Sequence, residues 1–242
     1  MQMEASHKLT ESQSQALISL SARAQEVTSD PKYLDTQNFI RVLTARDFNL
    51  DASFEMWLKW YEWRVEYRAD EITESEMMPH ILTGKAFYRG TDKQGRPCLI
   101  LRFRYHQPSQ FPPEETMRYM IYLVEYGVKL SDELGVRQIT VVYDRAGLTS
   151  ENRDGKLIDL IKKLSSMLQD FYAERLGAVY VLNVNWLYWL MFQIAKPLLK
   201  KKTKEKIHIV RNVEGLADFF DSHQLLREYG GSDSYVHPYP GV

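Results

Sequence analysis

Apolar positions in the first third of the chain recur every three to four residues, the period of a helix with one buried face. Residues 11–27 form a weak amphipathic stretch that ends at Ser29-Asp30-Pro31. Asp35 is placed to cap a helix carrying Phe39, Ile40, Val42 and Leu43. Asp51 is placed to cap a longer one, in which Phe54, Trp57, Leu58, Tyr61 and Val65 share a face. This predicts a small helical bundle with an aromatic core. After Pro79 the pattern changes. Residues 86–89 and 97–104 read as a strand hairpin about the turn Asp92-Lys93-Gln94-Gly95. Pro112 and Pro113 open a helix with Glu114 and Glu115 in its first turn, where the dipole favours acids. Its apolar face is Met117, Met120, Ile121, Val124 and Val128. A buried strand at 138–143, an amphipathic helix at 157–168 and strands at 178–182 and 207–210 follow, and the chain is irregular from Ser232 on. Strands alternating with helices predict an α/β domain with a mainly parallel sheet.

One stretch departs from these periodicities. Fifteen of the eighteen residues from Ala178 to Ala195 are apolar or aromatic, and six lysines then fall between Lys196 and Lys206. Eighteen residues is at the lower limit for crossing a bilayer. Asn183, Asn185 and Gln193 interrupt the run, however, and Lys196-Pro197 closes it. It therefore reads as a short strand, 178–182, then a helix at 187–199. Seven consecutive large apolar residues, Trp186 to Phe192, exceed what one face of a surface helix needs. Such a helix suits a lid that covers an apolar pocket in one state and meets a bilayer in another.

Charge is uneven although the formal net charge is −1. Residues 47–76 are acid-rich and 196–206 lysine-rich, which points to a surface that meets something anionic and argues against a general nucleic-acid binder. The single cysteine, Cys98, fits a reducing compartment, and no signal peptide is apparent, so a cytoplasmic protein is expected. No Gly-rich phosphate loop, G-x-S-x-G elbow, H-E-x-x-H or zinc-spaced cysteine pair occurs. The six histidines are scattered, and Asp144 in the DRAG stretch reads as a strand-end turn. Taken alone, Glu174-Arg175 reads as a surface ion pair and the lysine cluster as a solvated loop. No enzyme, metal or cofactor is expected.

The segment FYAERLGAVYVLNVNWLYWLMFQIAKPLLKKKTKEKIHIV, 171–210, resembles the CRAL-TRIO lipid-binding family, which includes phosphatidylinositol/phosphatidylcholine transfer proteins, α-tocopherol transfer protein and retinaldehyde-binding protein. FIRVLTARDFNLDASFEMWLKWYEWR resembles that family's N-terminal helical module, DKQGRPCLILRF its hairpin and LLREYGG its usual ending. Together these cover about 35–231 in the right order. The resemblance implies an N-terminal helical module, taken as 1–78, and a CRAL-TRIO domain, 79–242, with an apolar cavity and a gate helix.

The resemblance also implies site residues. Arg46, Glu174, Arg175 and Lys206 match headgroup-binding positions of phosphatidylinositol binders, and Lys202 and Lys206 match basic positions of the tocopherol carrier. Trp186, Leu187, Trp189, Leu190, Phe192 and Ile194 fall in the gate helix, with Met120 and Val124 also expected to line the cavity. Two positions depart from the pattern. Asp47 stands where phosphatidylinositol binders usually carry lysine, and Ala173 where a proline usually precedes the Glu-Arg pair. The expectation is a monomeric carrier that binds one phospholipid, phosphatidylinositol first and exchanging with phosphatidylcholine, and associates reversibly with anionic membrane surfaces. The alternatives are a carrier of an isoprenoid, tocopherol-like or sterol ligand, and a lipid-sensing interaction module. The short chain favours a free-standing carrier.

Overall fold

The computed structural model describes residues 9–152, 157–185, 188, 192–193, 196–198 and 201–238. It divides into two compact units, one of residues 1–70 with 168–173, the other of residues 71–167 and 174–242.

The first unit is helical: α1 (Glu11–Gln25), α2 (Thr36–Ala45) and α3 (Leu50–Tyr67). Thr10 and Gln13 form a reciprocal capping box at the start of α1. Asp35 caps α2 as its position predicts. For α3 the cap is Asn49 rather than Asp51. Asp51 lies in the first turn and pairs with Arg23 at 2.8 Å. The predicted aromatic stripe is core, since Trp57 is fully buried and its indole donates to the Tyr33 carbonyl at 3.2 Å. Residues 168–173 belong here through Phe171, whose ring stacks on Trp63 at 4.4 Å.

The second unit is built on a five-stranded sheet of order β1-β2-β3-β4-β5. The strands are β1 (Ala86–Thr91), β2 (Pro97–Arg102), β3 (Ile139–Asp144), β4 (Leu176–Leu182) and β5 (Ile207–Ile209). β1 and β2 form the antiparallel hairpin; the other pairings are parallel. The remaining helices are α4 (Glu74–Ile81), α5 (Pro113–Glu133), α6 (Leu157–Phe171) and the single turn α7 (Lys201–Lys204). α4 has no counterpart in the sequence pattern, because Pro79 inside it reads as a breaker. The hairpin turn is closed from within. The buried Asp92 carboxylate accepts from the Gln94 and Arg96 amides, the Arg96 guanidinium and the Thr140 hydroxyl.

Strand neighbours run in chain order from β2 to β5, and α5, which connects β2 to β3, packs on one face of the sheet, the crossover face. The other face is covered by the C-terminal segment. There Ile100, Val142, Tyr180 and Leu182 pack with Leu216, Phe220 and Tyr229, all at 3% exposure or less.

Candidate lipid-binding site

Alternation along the strands places two apolar rungs on the crossover face. Leu99, Val141, Val179 and Ile207 are in register across β2 to β5, and so are Leu101, Tyr143, Val181 and Ile209. α5 covers the β1–β3 side of this face. Its Met120 packs with Leu99 and Val141, while Leu123 and Val124 are buried. Among the described residues α6 makes no comparable approach to a strand. Leu99 and Val181 are buried, Val141, Tyr143, Val179 and Ile207 remain half-buried, and Ile209 is 45% exposed. Leaving such side chains in contact with water costs about 25 cal/mol per Å² of apolar surface, so this floor is an energetically open position for an apolar ligand.

The amino-terminal edge of the parallel strands carries the expected headgroup residues of this unit. Glu174 sits in the left-handed region (φ 61°) immediately before β4. Arg175 is buried, and its partner is not Glu174. The guanidinium forks onto Asp132 at the end of α5 at 2.7 and 3.3 Å and reaches the Arg137 carbonyl at 3.4 Å. The surface pair read from adjacency is thus replaced by a tertiary one. Lys206 donates from Nζ to the Leu176 carbonyl at 2.6 Å, which brings it to the same edge as Arg175. Lys202 lies in α7, and its side chain is outside the described residues.

Arg46 belongs to the helical unit, where it is the C-cap of α2. Two backbone bonds close that helix end: Asp47 N–H to Thr44 O at 3.4 Å and Phe48 N–H to Leu43 O at 2.8 Å. This is the Schellman arrangement, with Asp47 (φ 51°) where glycine is usual. An aspartate tolerates the left-handed region better than a lysine does, which gives the departure at this position a conformational reason.

Of the expected gate residues, Trp186, Leu187, Trp189, Leu190 and Ile194 lie outside the described residues. Phe192 is described; its ring stacks on Tyr188 one turn earlier at 5.9 Å. The Tyr188 amide donates to Asn185 at 3.0 Å, and the Arg145 guanidinium lies 4.2 Å above the Tyr188 ring. Among the described residues no helix is long and apolar enough to cross a membrane.

The carboxyl ends of the strands carry a second polar cluster that sequence reasoning missed. Asp144 at the end of β3 is buried and accepts from Arg104 at 2.7 Å, Asn183 at 2.7 Å, the Ala146 amide at 2.8 Å and the Tyr229 hydroxyl at 3.1 Å. Burial works to raise its pKa, but the Ala146, Asn183 and Arg104 donors outweigh it and hold the carboxyl below its ordinary value. The DRAG stretch is therefore a strand-end turn, as expected, and also a buried hub. Beside it lies a polar cleft of about 480 Å³ lined by Arg104, Gln107, Ser109, Thr149, Glu151 and Asn152. The available signal was topological: Asp144 and Asn183 end or follow neighbouring parallel strands, where α/β sheets hold ligands.

The family model of the CRAL/TRIO domain matches residues 82–231. The chain belongs to the CRAL/TRIO family. A CRAL-TRIO domain-containing protein of Schizosaccharomyces pombe is 28% identical over 211 residues, 83% of this chain and 46% of that protein. The phosphatidylinositol/phosphatidylcholine transfer protein SFH12 of Arabidopsis thaliana is 28% identical over 218 residues, 83% of this chain and 40% of its own length. The Sec14 cytosolic factor of S. pombe is 29% identical over 208 residues, 73% of this chain and 67% of that protein. The chain thus spans under half the length of the first two. Among solved structures, that of Sfh5 is similar with a TM-score of 0.74 at 18% identity, over 98% of this chain and 91% of that one. This likeness shows the fold, an α/β CRAL-TRIO domain preceded by helices.

Proposed function

We propose that this protein carries a phospholipid, phosphatidylinositol before phosphatidylcholine, and moves or presents it between membranes. The observation that carries the proposal is the half-covered apolar floor of β3, β4 and β5, with Arg175 and Lys206 at its amino-terminal edge. Membership of the CRAL/TRIO family and similarity to proteins named phosphatidylinositol/phosphatidylcholine transfer proteins support the same reading.

The energetics suit carriage. Acyl chains on the floor exchange one apolar environment for another, so loading from a bilayer is close to neutral. Each methylene exposed to water costs about 0.8 kcal/mol, which makes a lid over the chains a requirement. The segment 186–199 fills that role in this proposal, since it is too apolar for a water-facing helix. The lysines of 196–206 contribute on the order of 1 kcal/mol each at an anionic leaflet, a reversible attraction that salt weakens.

At the headgroup, Lys206 has further Nζ donors beyond the one bonded to Leu176, and Arg175 adds positive charge at the same edge. A phosphate placed there is stabilised by charge-assisted hydrogen bonds, and Glu174 is the side chain assigned to accept from inositol hydroxyls in this proposal.

Extraction of the purified protein with organic solvent, followed by a vesicle-to-vesicle transfer assay, tests the proposal. A co-purifying phospholipid and measurable transfer are expected, with Lys206→Ala reducing phosphatidylinositol transfer while leaving the fold intact. Recovery of a neutral isoprenoid in place of phospholipid overturns the ligand. Binding without transfer overturns carriage in favour of sensing.

A further inference from the structure

Three buried basic side chains converge where α4, α5 and the turn after β2 meet: His80 at 3% exposure, Lys85 at 6% and His106 at 4%. Neither ring nitrogen of His80 and no hydrogen of Lys85 Nζ meets a hydrogen-bond acceptor or donor among the described residues. The Lys85 ammonium position lies 3.8 Å from the centre of the Phe111 ring and 5.4 Å from that of Tyr119. The His80 ring stacks on the same two residues, at 4.2 and 4.7 Å. The Tyr119 hydroxyl is already committed to the Ala86 carbonyl at 3.0 Å.

We propose that His80 and Lys85, flanked by His106, form a binding site for the carboxylate of an acidic ligand, entered from the polar cleft at the carboxyl ends of β2 and β3. This goes beyond phospholipid carriage and does not depend on it.

A buried amine and imidazole with no partner cost several kcal/mol against an apolar core of the same shape, so a role in packing alone does not account for them. Among the described residues no ion pair joins Lys85 to a carboxylate. The groups facing it are His80 from α4, Phe111 from the loop before α5 and Tyr119 from α5, none of them an acid, and His106 acts on the His80 ring. Burial pushes the Lys85 amine down to about 7. Burial, then the charges of Lys85 and His106, pushes His80 down to about 3. At neutral pH the His80–Lys85 pair therefore holds at most one positive charge, which matches a monoanion better than a phosphate dianion. A carboxylate has two oxygens, one for the ammonium and one for an imidazole N–H, and its flat shape suits aromatic walls. The cleft borders the cluster at His106. Asn152 in the cleft wall donates to the His106 carbonyl at 3.0 Å, and Gln107, the next residue, lines the cleft.

The test uses acetate and oleate isotope-labelled at the carboxyl carbon, observed by NMR with the full chain and with Lys85→Met. Lys85→Met removes an unpartnered buried amine, so it is expected to fold at least as well as the wild type, and its phospholipid content serves as the control. The wild type is expected to give a bound carboxylate resonance, and Lys85→Met to bind roughly tenfold more weakly or worse, the loss of a charge-assisted hydrogen bond. A bound resonance with acetate as well as oleate assigns a small free acid; one with oleate alone assigns a lipid acid. No bound resonance with either, equal binding by Lys85→Met, or displacement by equimolar inorganic phosphate overturns the site.

Discussion

The two faces of the sheet contrast in how completely they are covered. Beneath the C-terminal segment, Ile100, Val142, Tyr180 and Leu182 are at 3% exposure or less and pack into one continuous core. On the crossover face the same strands present Val141, Tyr143, Val179 and Ile207 half-buried, and Ile209 at 45%. The sequences of the two faces do not differ in kind, since both are β-branched, aliphatic and aromatic. The difference lies in what covers them, and it separates apolar residues that hold the fold from apolar residues available to a ligand.

Paired truncations sharpen that contrast most. Leu182→Ala on the closed face removes a fully buried side chain and is expected to cost about 2–5 kcal/mol of unfolding free energy. Val179→Ala on the open face is expected to cost under about 1.5 kcal/mol, because a half-covered site leaves little cavity behind. Chemical denaturation measures both, and equal losses break the distinction between the faces.

Acid titration probes the covered side of the crossover face, under α4 and α5. His80 titrates near 3 in the folded chain against 6.5 ordinarily, because burial and its basic neighbours oppose its charge. Between those values the unfolded chain binds more protons, so stability falls as pH drops through about 6.5 toward 3. His80→Phe is expected to flatten that part of the stability–pH curve while leaving the open floor unaltered. An unchanged slope removes the buried-histidine assignment.

The smallest effect is expected in the helical unit, away from the sheet. Asp47 occupies the left-handed position that closes α2. Asp47→Gly is expected to raise stability by under about 1 kcal/mol, because relief of the left-handed conformation, about 1–2 kcal/mol at most, exceeds the entropy that glycine adds to the unfolded chain. A loss of stability would show that the aspartate side chain makes a compensating bond.

Much of this architecture was legible in the chain, and the failures have physical causes. The helix and strand periods placed α1 to α3, the hairpin, α5 and the three parallel strands, because each buries a face whose spacing is visible in sequence. α4 was hidden by Pro79, whose local veto is outweighed by a capped first turn and by burial of Met77. The cap at Asn49 was mistaken for Asp51 because both are good capping residues two positions apart. The family motifs pointed to Glu174, Arg175 and Lys206, and the latter two meet at one sheet edge. The fork of Arg175 onto Asp132 was not legible, since it joins residues forty-three positions apart. The Asp144 hub left only the topological signal of Asp144 and Asn183 at neighbouring strand ends, and the His80–Lys85 cluster left none, because each assembles single residues from separate elements with no spacing of their own.

Native mass spectrometry of the protein after incubation with phosphatidylinositol/phosphatidylcholine vesicles tests the central claim most directly, read on the wild type and on Val179→Asp. The account predicts one phospholipid per wild-type chain and its loss from a still-folded Val179→Asp, whose carboxylate lies on the open floor. A wild type that carries no phospholipid, or a folded Val179→Asp that carries it at the wild-type ratio, would contradict the account.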